Sequence, residues 1–261
     1  LYHHGIKPFT SRQVSHHART HNPPETRQKC DAMNRTSLRP SHWHQRVRAV
    51  LNTTSLRLAM AAFFGVATAL VLLAGSRLTC PDSACRYPQW DGAVSAFMRN
   101  WQTPALDVLF MALTWLASLV ILLPVALLMA RTLYQRHGPS TACFVPVALL
   151  GATLWAHAFK LLVNRPRPDP LVALIDIPAD MSYPSAHTLQ VGAFVLAWML
   201  CPNLRCHTVT AVALLLVAFL VGISRLYLQV HFASDVVFGA AAAVLWVLAL
   251  RSLPIWKEST T

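Results

Sequence analysis

Six long stretches of this chain contain no Asp, Glu, Lys or Arg: residues 58–76, 108–130, 141–159, 188–204, 206–224 and 236–250. A helix needs about 20 predominantly apolar residues to cross the roughly 30 Å hydrocarbon core of a bilayer. Most of the stretches approach that length. The last becomes long enough if it starts near Val230, with Asp235 at its mouth. Only 12% of residues are charged, about half the fraction usual in soluble domains. The expected fold is therefore all-α, a six-transmembrane-helix bundle occupying residues 55–252.

The net charge of +12 does not point to nucleic acid, because of where it lies. Residues 1–57 hold ten Lys or Arg against two acids and so contribute +8. They carry no aromatic stacking platform and no periodic apolar face. A basic tail beside a first span reads as a cytoplasmic anchor able to touch anionic lipid. Residues 1–54 are expected to be this basic, disordered tail, and 253–261 a short cytoplasmic one. The first Met is Met33; a non-AUG start, an over-extended reading frame or a genuine tail all fit residues 1–32. The stretch 58–76 exceeds a signal-peptide core of about 7–15 residues, so it reads as an uncleaved helix.

Loop charges give an orientation. The loop from Arg77 to Asp107 balances three Arg with three Asp and suits the outside, whereas Arg131 and Arg136 stand without acids and suit the inside. Residues 160–187 return outside, and both termini fall on the cytoplasmic face. In the first outer loop, Val94, Phe97, Met98 and Trp101 follow the spacing of one helix face. With Asp91 as its cap, this segment reads as a short interfacial helix. Thr103 and Pro104 supply a cap and first-turn proline for the second span. Cys80 and Cys85 flank Pro81 in what should be an oxidising compartment; a disulfide and two free thiols both remain open. His157 lies one turn before Lys160 and reads as a packed side chain.

Polar residues beside spans are costly and therefore functional candidates. Here they form three clusters: Lys160 to Pro170, Pro184 to His187, and Ser224-Arg225 with His231 and Asp235. Only fifteen residues separate Pro168 from Pro184, too few to cross a bilayer and return. Between His187 and Ser224 lie 36 residues, enough for two spans at about 1.5 Å per residue. All three clusters are thus expected at one outer surface, near headgroup level.

Their chemistry suits a phosphate. Lys160, Arg167 and Arg225 supply positive charge, and Arg can fork onto phosphate oxygens. In Arg165-Pro166-Arg167-Pro168 each proline favours extended geometry before it. Arg165 and Arg167 should then point opposite ways, one into the site and the other to headgroups or water. Ser185 and the Ala186 N–H sit where a helix should start, a favourable place for an anion. His231 and Asp235, four apart, can touch on a helix face; the carboxylate would fix the tautomer and leave the other nitrogen as nucleophile. His187 can serve as the acid. No cluster has metal-ligand spacing, and a cationic site repels a divalent ion, so neither metal nor cofactor is expected.

These motifs resemble the type 2 phosphatidic acid phosphatase (lipid phosphate phosphatase) family, of the bacterial integral membrane type. Its pattern is K-x6-R-P, then P-S-G-H, then S-R-x5-H-x3-D. Lys160 is followed by Arg167-Pro168, Pro184 to His187 read P-S-A-H, and Ser224 to Asp235 match the third motif. The resemblance implies that His231 forms a phosphohistidine, oriented by Asp235, while His187 protonates the leaving oxygen and then activates water. Lys160, Arg167, Ser185, the Ala186 backbone and Arg225 would hold the phosphate oxygens. Ala186 replaces the motif glycine, which matters if that position needs a positive φ. The implied function is hydrolysis of a lipid phosphate or diphosphate (phosphatidic acid, phosphatidylglycerol phosphate or a polyprenyl diphosphate) at the outer face of a bacterial inner membrane. A phosphotransferase passing the group to a lipid or sugar hydroxyl would use the same residues, and a non-catalytic transporter or scaffold would need none of them.

Overall fold

The computed structural model describes residues 54–81, 85 and 88–256. The tails expected at 1–54 and 253–261 fall largely outside them. Among the described residues the regular structure is helical: α1 Thr54–Thr79, α2 Gln89–Asn100, α3 Pro104–Leu116, α4 Leu119–His137, α5 Pro139–Val163, a 3₁₀ turn Pro170–Val172, α6 Ala186–Met199, α7 Thr208–Tyr227 and α8 Ala233–Ser252. Five of these, α1, α4, α5, α7 and α8, are long and apolar enough to cross a membrane. The chain is built as an integral membrane protein.

Two expected spans take a different form. The stretch 108–130 is broken, because Ala117 leaves helical geometry and Ser118 adopts the extended backbone of an N-cap for α4. Thr103 caps α3 as expected, its side chain accepting the Leu106 N–H, with Pro104 in the first turn. The stretch 188–204 becomes α6, fourteen residues that stop at Leu200. Pro202 lies just beyond and cannot continue the helix. At about 1.5 Å per residue α6 is shorter than a full crossing.

Helix α8 is the centre of the bundle, packed against α1, α6 and, more lightly, α5; α5 also packs on α4 and α6. The fully buried core is rich in small residues, with Ala148, Ala152, Ala156, Ala193 and Ala242 among them. Without hydrophobic exclusion from lipid, close backbone approach is what rewards helix pairing in a membrane. Glycine has the same effect on α1, where a Cβ on Gly75 would run into the Tyr183 hydroxyl. That hydroxyl donates to Leu72 O at 2.8 Å. At the opposite end, Arg57 donates to the Leu253 carbonyl at 2.9 Å and to those of Arg251 and Ser252 at 3.3 Å. A cation there satisfies helix-end carbonyls and matches the dipole of α8.

The segment between α1 and α3 decides the alternative left open for its cysteines and contains a short helix. Cys80 and Cys85 are joined by a disulfide. Helix α2 is present, but Asp91 is not its cap; Pro88 occupies that position and Asp91 is buried in the first turn.

Candidate active site

The C-terminal ends of α5 and α7 and the N-terminal ends of α6 and α8 converge on one cavity of about 280 Å³. Its lining includes Lys160, Arg167, Ala186, His187, Arg225 and His231. The three clusters separated in sequence are therefore neighbours. Helix α5 ends because Asn164 takes up left-handed geometry (φ 52°), which Asn tolerates better than most residues. The chain then runs extended through the two Arg-Pro pairs.

His231 does not lie on a helix. Helix α8 starts at Ala233 with Phe232 as an extended N-cap, so His231 sits two residues ahead of the helix. Asp235, at the third helical position, reaches back. Its Oδ2 accepts the Phe232 N–H at 3.0 Å and lies 3.3 Å from His231 Nδ1. The preceding turn is set by Gln229 at φ 59°. Its side chain bonds Ser95 of α2 at 2.5 Å and donates to Leu226 O at 2.8 Å.

The tautomer of His231 follows from its neighbours. Arg167 Nη1 lies 3.3 Å from Nε2, and a guanidinium has nothing with which to accept. Nε2 must present its lone pair, so Nδ1 carries the hydrogen and donates to Asp235. Burial, then the charges of Arg167, Arg225 and Lys160, hold the imidazole pKa well below its usual value. The ring is held neutral, with the Nε2 lone pair turned toward Arg167.

Asp235 is fully buried and held from several sides. Ser182 Oγ donates to its Oδ2, and Arg165 donates to its Oδ1 at 2.5 Å. Arg165 thus departs from expectation. It does face away from Arg167, yet it turns into the protein, with no exposed surface, and meets neither headgroups nor water. Its other nitrogen donates to Asp91 Oδ2 at 2.9 Å. Asp91 also accepts the Ser234 backbone N–H at 2.8 Å and the Ser234 hydroxyl at 2.6 Å. A buried chain Asp91–Arg165–Asp235 therefore anchors α2 to the start of α8 behind His231.

The cations facing the cavity meet a carboxylate that the motifs do not include. Asp180 Oδ2 pairs with Lys160 Nζ at 3.0 Å, and its Oδ1 accepts from Arg167 at 2.5 Å. Burial acts to raise the Asp180 pKa, but the Arg167 hydrogen bond and the Lys160 charge outweigh it and leave the carboxyl below its usual range. Arg167 also donates to Val230 O at 2.8 Å. Arg225 is buried and donates to Thr114 of α3.

Ser185 and Ala186 occupy the N-cap and first position of α6. Ser185 is fully buried, its hydroxyl accepting from Thr188 at 3.0 Å and its N–H donating to Asp235 O at 3.1 Å. It stands beside the cavity without lining it. Ala186 is not among the positive-φ residues, so Ala in place of glycine carries no backbone strain here. His157 is not packed away: it is exposed and lines the cavity. Among the described residues no group of three or more His, Cys, Asp or Glu side chains is arranged to hold a metal ion.

Comparison with known proteins bears on this architecture. Residues 141–258 match the family model of the PAP2 superfamily. The chain is similar in fold to the crystal structure of a transmembrane PAP2-type phosphatidylglycerolphosphate phosphatase from Bacillus subtilis. The TM-score is 0.63 and the identity 21%, over 75% of this chain and 98% of that one. It is also similar to Aquifex aeolicus LpxE, with a TM-score of 0.51 and 24% identity, over 60% of this chain and 93% of the other. Among curated protein sequences no significant match is found.

Proposed function

We propose that the chain is a PAP2-type membrane lipid phosphatase working through a phosphohistidine at His231, a reading supported by the family model that matches residues 141–258 and by the shared fold. The observation that carries this reading is the neutral His231 ring, bonded to Asp235 through Nδ1 while Nε2 faces Arg167. Nε2 attacks the terminal phosphorus, a P–N bond forms, and the bond from phosphorus to the leaving oxygen breaks, releasing the lipid alcohol from a monoester or the lipid monophosphate from a diphosphate. His187 delivers its proton to that oxygen. It then takes a proton from the water that cleaves the P–N bond, releasing phosphate and restoring the ring. Lys160, Arg167, Arg225 and the Ala186 N–H stabilise charge on the phosphoryl oxygens as it develops. Ser185 fixes the start of α6 for that purpose. The substrate is a phosphomonoester or diphosphate on a lipid, and no metal takes part.

We place the protein in a bacterial inner membrane with six crossings, counting α3 and α4 as one and including α6. Both termini then lie in the cytoplasm, α2 lies in the outer interface, and the active site faces the periplasm. The loop charges support that orientation. The test is phosphate release from phosphatidic acid, phosphatidylglycerol phosphate or a polyprenyl diphosphate by the purified protein in detergent with EDTA. Turnover that disappears in His231→Ala is expected; turnover that survives it removes His231 as the nucleophile.

A further inference from the structure

The cavity has two polar tiers. The first, at the site ends of the helices, contains Lys160, Arg167, His187, Arg225 and His231. The second contains His157 and Gln190. His157 precedes Lys160 by three residues on α5 and Gln190 follows His187 by three on α6. Each is therefore displaced about 4.5 Å along its helix, toward the middle of the bundle.

Thr153 links the second tier. Its backbone carbonyl accepts from His157 Nδ1 at 2.8 Å. Its hydroxyl donates to Leu149 O at 2.9 Å and accepts from the Gln190 amide at 3.0 Å. With Nδ1 bonded to Thr153, Nε2 is the ring nitrogen of His157 left for a ligand. Among the described residues that nitrogen has no hydrogen-bond partner. Gln190 is 4% exposed and His157 is exposed on the cavity side. Polar side chains within membrane-spanning helices are expensive and are by default candidates for a functional role. The hydrogen bonds that His157 and Gln190 make within the bundle go to Thr153.

We propose that His157 and Gln190 form a subsite for the alcohol portion of the substrate and select a glycerol phosphate over a prenol phosphate. This deepens the phosphatase reading and rests on it. With the phosphoryl group among the first-tier cations, the leaving oxygen lies near His187. The rest of the alcohol then extends past the second tier. A glycerol backbone carries further oxygens, as hydroxyls or esters, within a few bonds of the phosphate. A prenol carries only carbon there and offers nothing to His157 Nε2 or to the Gln190 amide groups that Thr153 does not engage. Sites built to hydrogen-bond an oxygen reject analogues that lack it far more strongly than apolar pockets reject an added group.

The test uses the full chain in mixed micelles, measuring kcat/KM for phosphatidic acid, lysophosphatidic acid and a polyprenyl monophosphate at equal surface mole fraction. The wild type should favour both glycerol phosphates over the prenyl phosphate. His157→Leu and Gln190→Leu should each reduce that preference about tenfold, the worth of one neutral hydrogen bond. His157→Gln, which keeps a polar tip, should retain part of it. A stronger effect on lysophosphatidic acid than on phosphatidic acid would assign the contact to the free hydroxyl; the reverse would assign it to the ester. Turnover of both classes with an unchanged ratio in the two Leu variants overturns the subsite alone. Turnover of neither class by the wild type overturns the phosphatase reading itself.

Discussion

Arg165→Met removes a charge from the least accessible part of the site, and its cost can be worked from the contacts. Arg165 and Asp235 have no exposed surface and Asp91 has 1%. The guanidinium lies 2.9 Å from one carboxylate and 2.5 Å from the other. Methionine keeps most of the volume, so the loss is mainly electrostatic. Two buried carboxylates remain, supported by Ser234, Ser182, the Phe232 N–H and His231. Removing one partner of a buried pair costs about 3–5 kcal/mol. Asp91→Asn leaves Arg165 with Asp235 and Ser234, and should cost about 1–3 kcal/mol. The double variant should be less destabilised than the sum, by about 1 kcal/mol or more, because a neutral amide at position 91 no longer needs the missing cation. Equilibrium unfolding of the purified protein in detergent micelles measures all three. Additivity within about 0.5 kcal/mol, or an Arg165→Met protein as stable as wild type, would refute a charge-coupled network.

Other consequences concern the cavity and the segment between α1 and α3. Asp180→Asn removes the carboxylate that competes with phosphate for Lys160 and Arg167. Inorganic phosphate should then inhibit about threefold or more tightly, a modest gain because Asp180 is 45% exposed; weaker inhibition would make Asp180 a support for those cations. Arg167→Gln removes the largest cationic influence on His231. The imidazole pKa should rise, so the acid limb of kcat/KM, where the ring protonates and loses its lone pair, should move to higher pH. An unmoved limb would assign that ionisation elsewhere. Replacing both Cys80 and Cys85 by Ser opens a loop with a sequence separation of 5. Chain entropy assigns such a loop about 2 kcal/mol, and a larger loss of unfolding free energy would mean the bridge also holds α2 in place.

The bundle and the first tier of the site are legible in the sequence because both depend on spacing. Charge-free runs announce helices, and the short linker between Pro168 and Pro184, with a two-span return from His187 to Ser224, forces three clusters to one surface. The break at Ala117–Ser118 is hidden because no Pro or Gly marks it and hydropathy continues across it. Arg165 is half legible: the Arg-Pro repeat implies that it points away from Arg167. Its burial depends on Asp91, a partner 74 residues earlier on α2, which no local pattern reveals. Asp180 has a faint signal, since Asp169, Asp176 and Asp180 balance Lys160, Arg165 and Arg167 between 160 and 187. Which acid meets the cations depends on the fold of the loop. The open position of His157 escapes the sequence because helical spacing places it on the Lys160 side of α5 without saying whether that side is packed or open.

The central claim is that His231 Nε2 becomes bonded to phosphorus. Acid-labile, base-stable label can be trapped by rapid denaturation in alkali after mixing the protein with a ³²P-labelled lipid phosphate, then located by peptide mapping. The account predicts one labelled peptide, containing His231, that forms within the first turnover and is absent from His231→Ala. Label on another residue, or a full first turnover of lipid alcohol by His231→Ala, would contradict it.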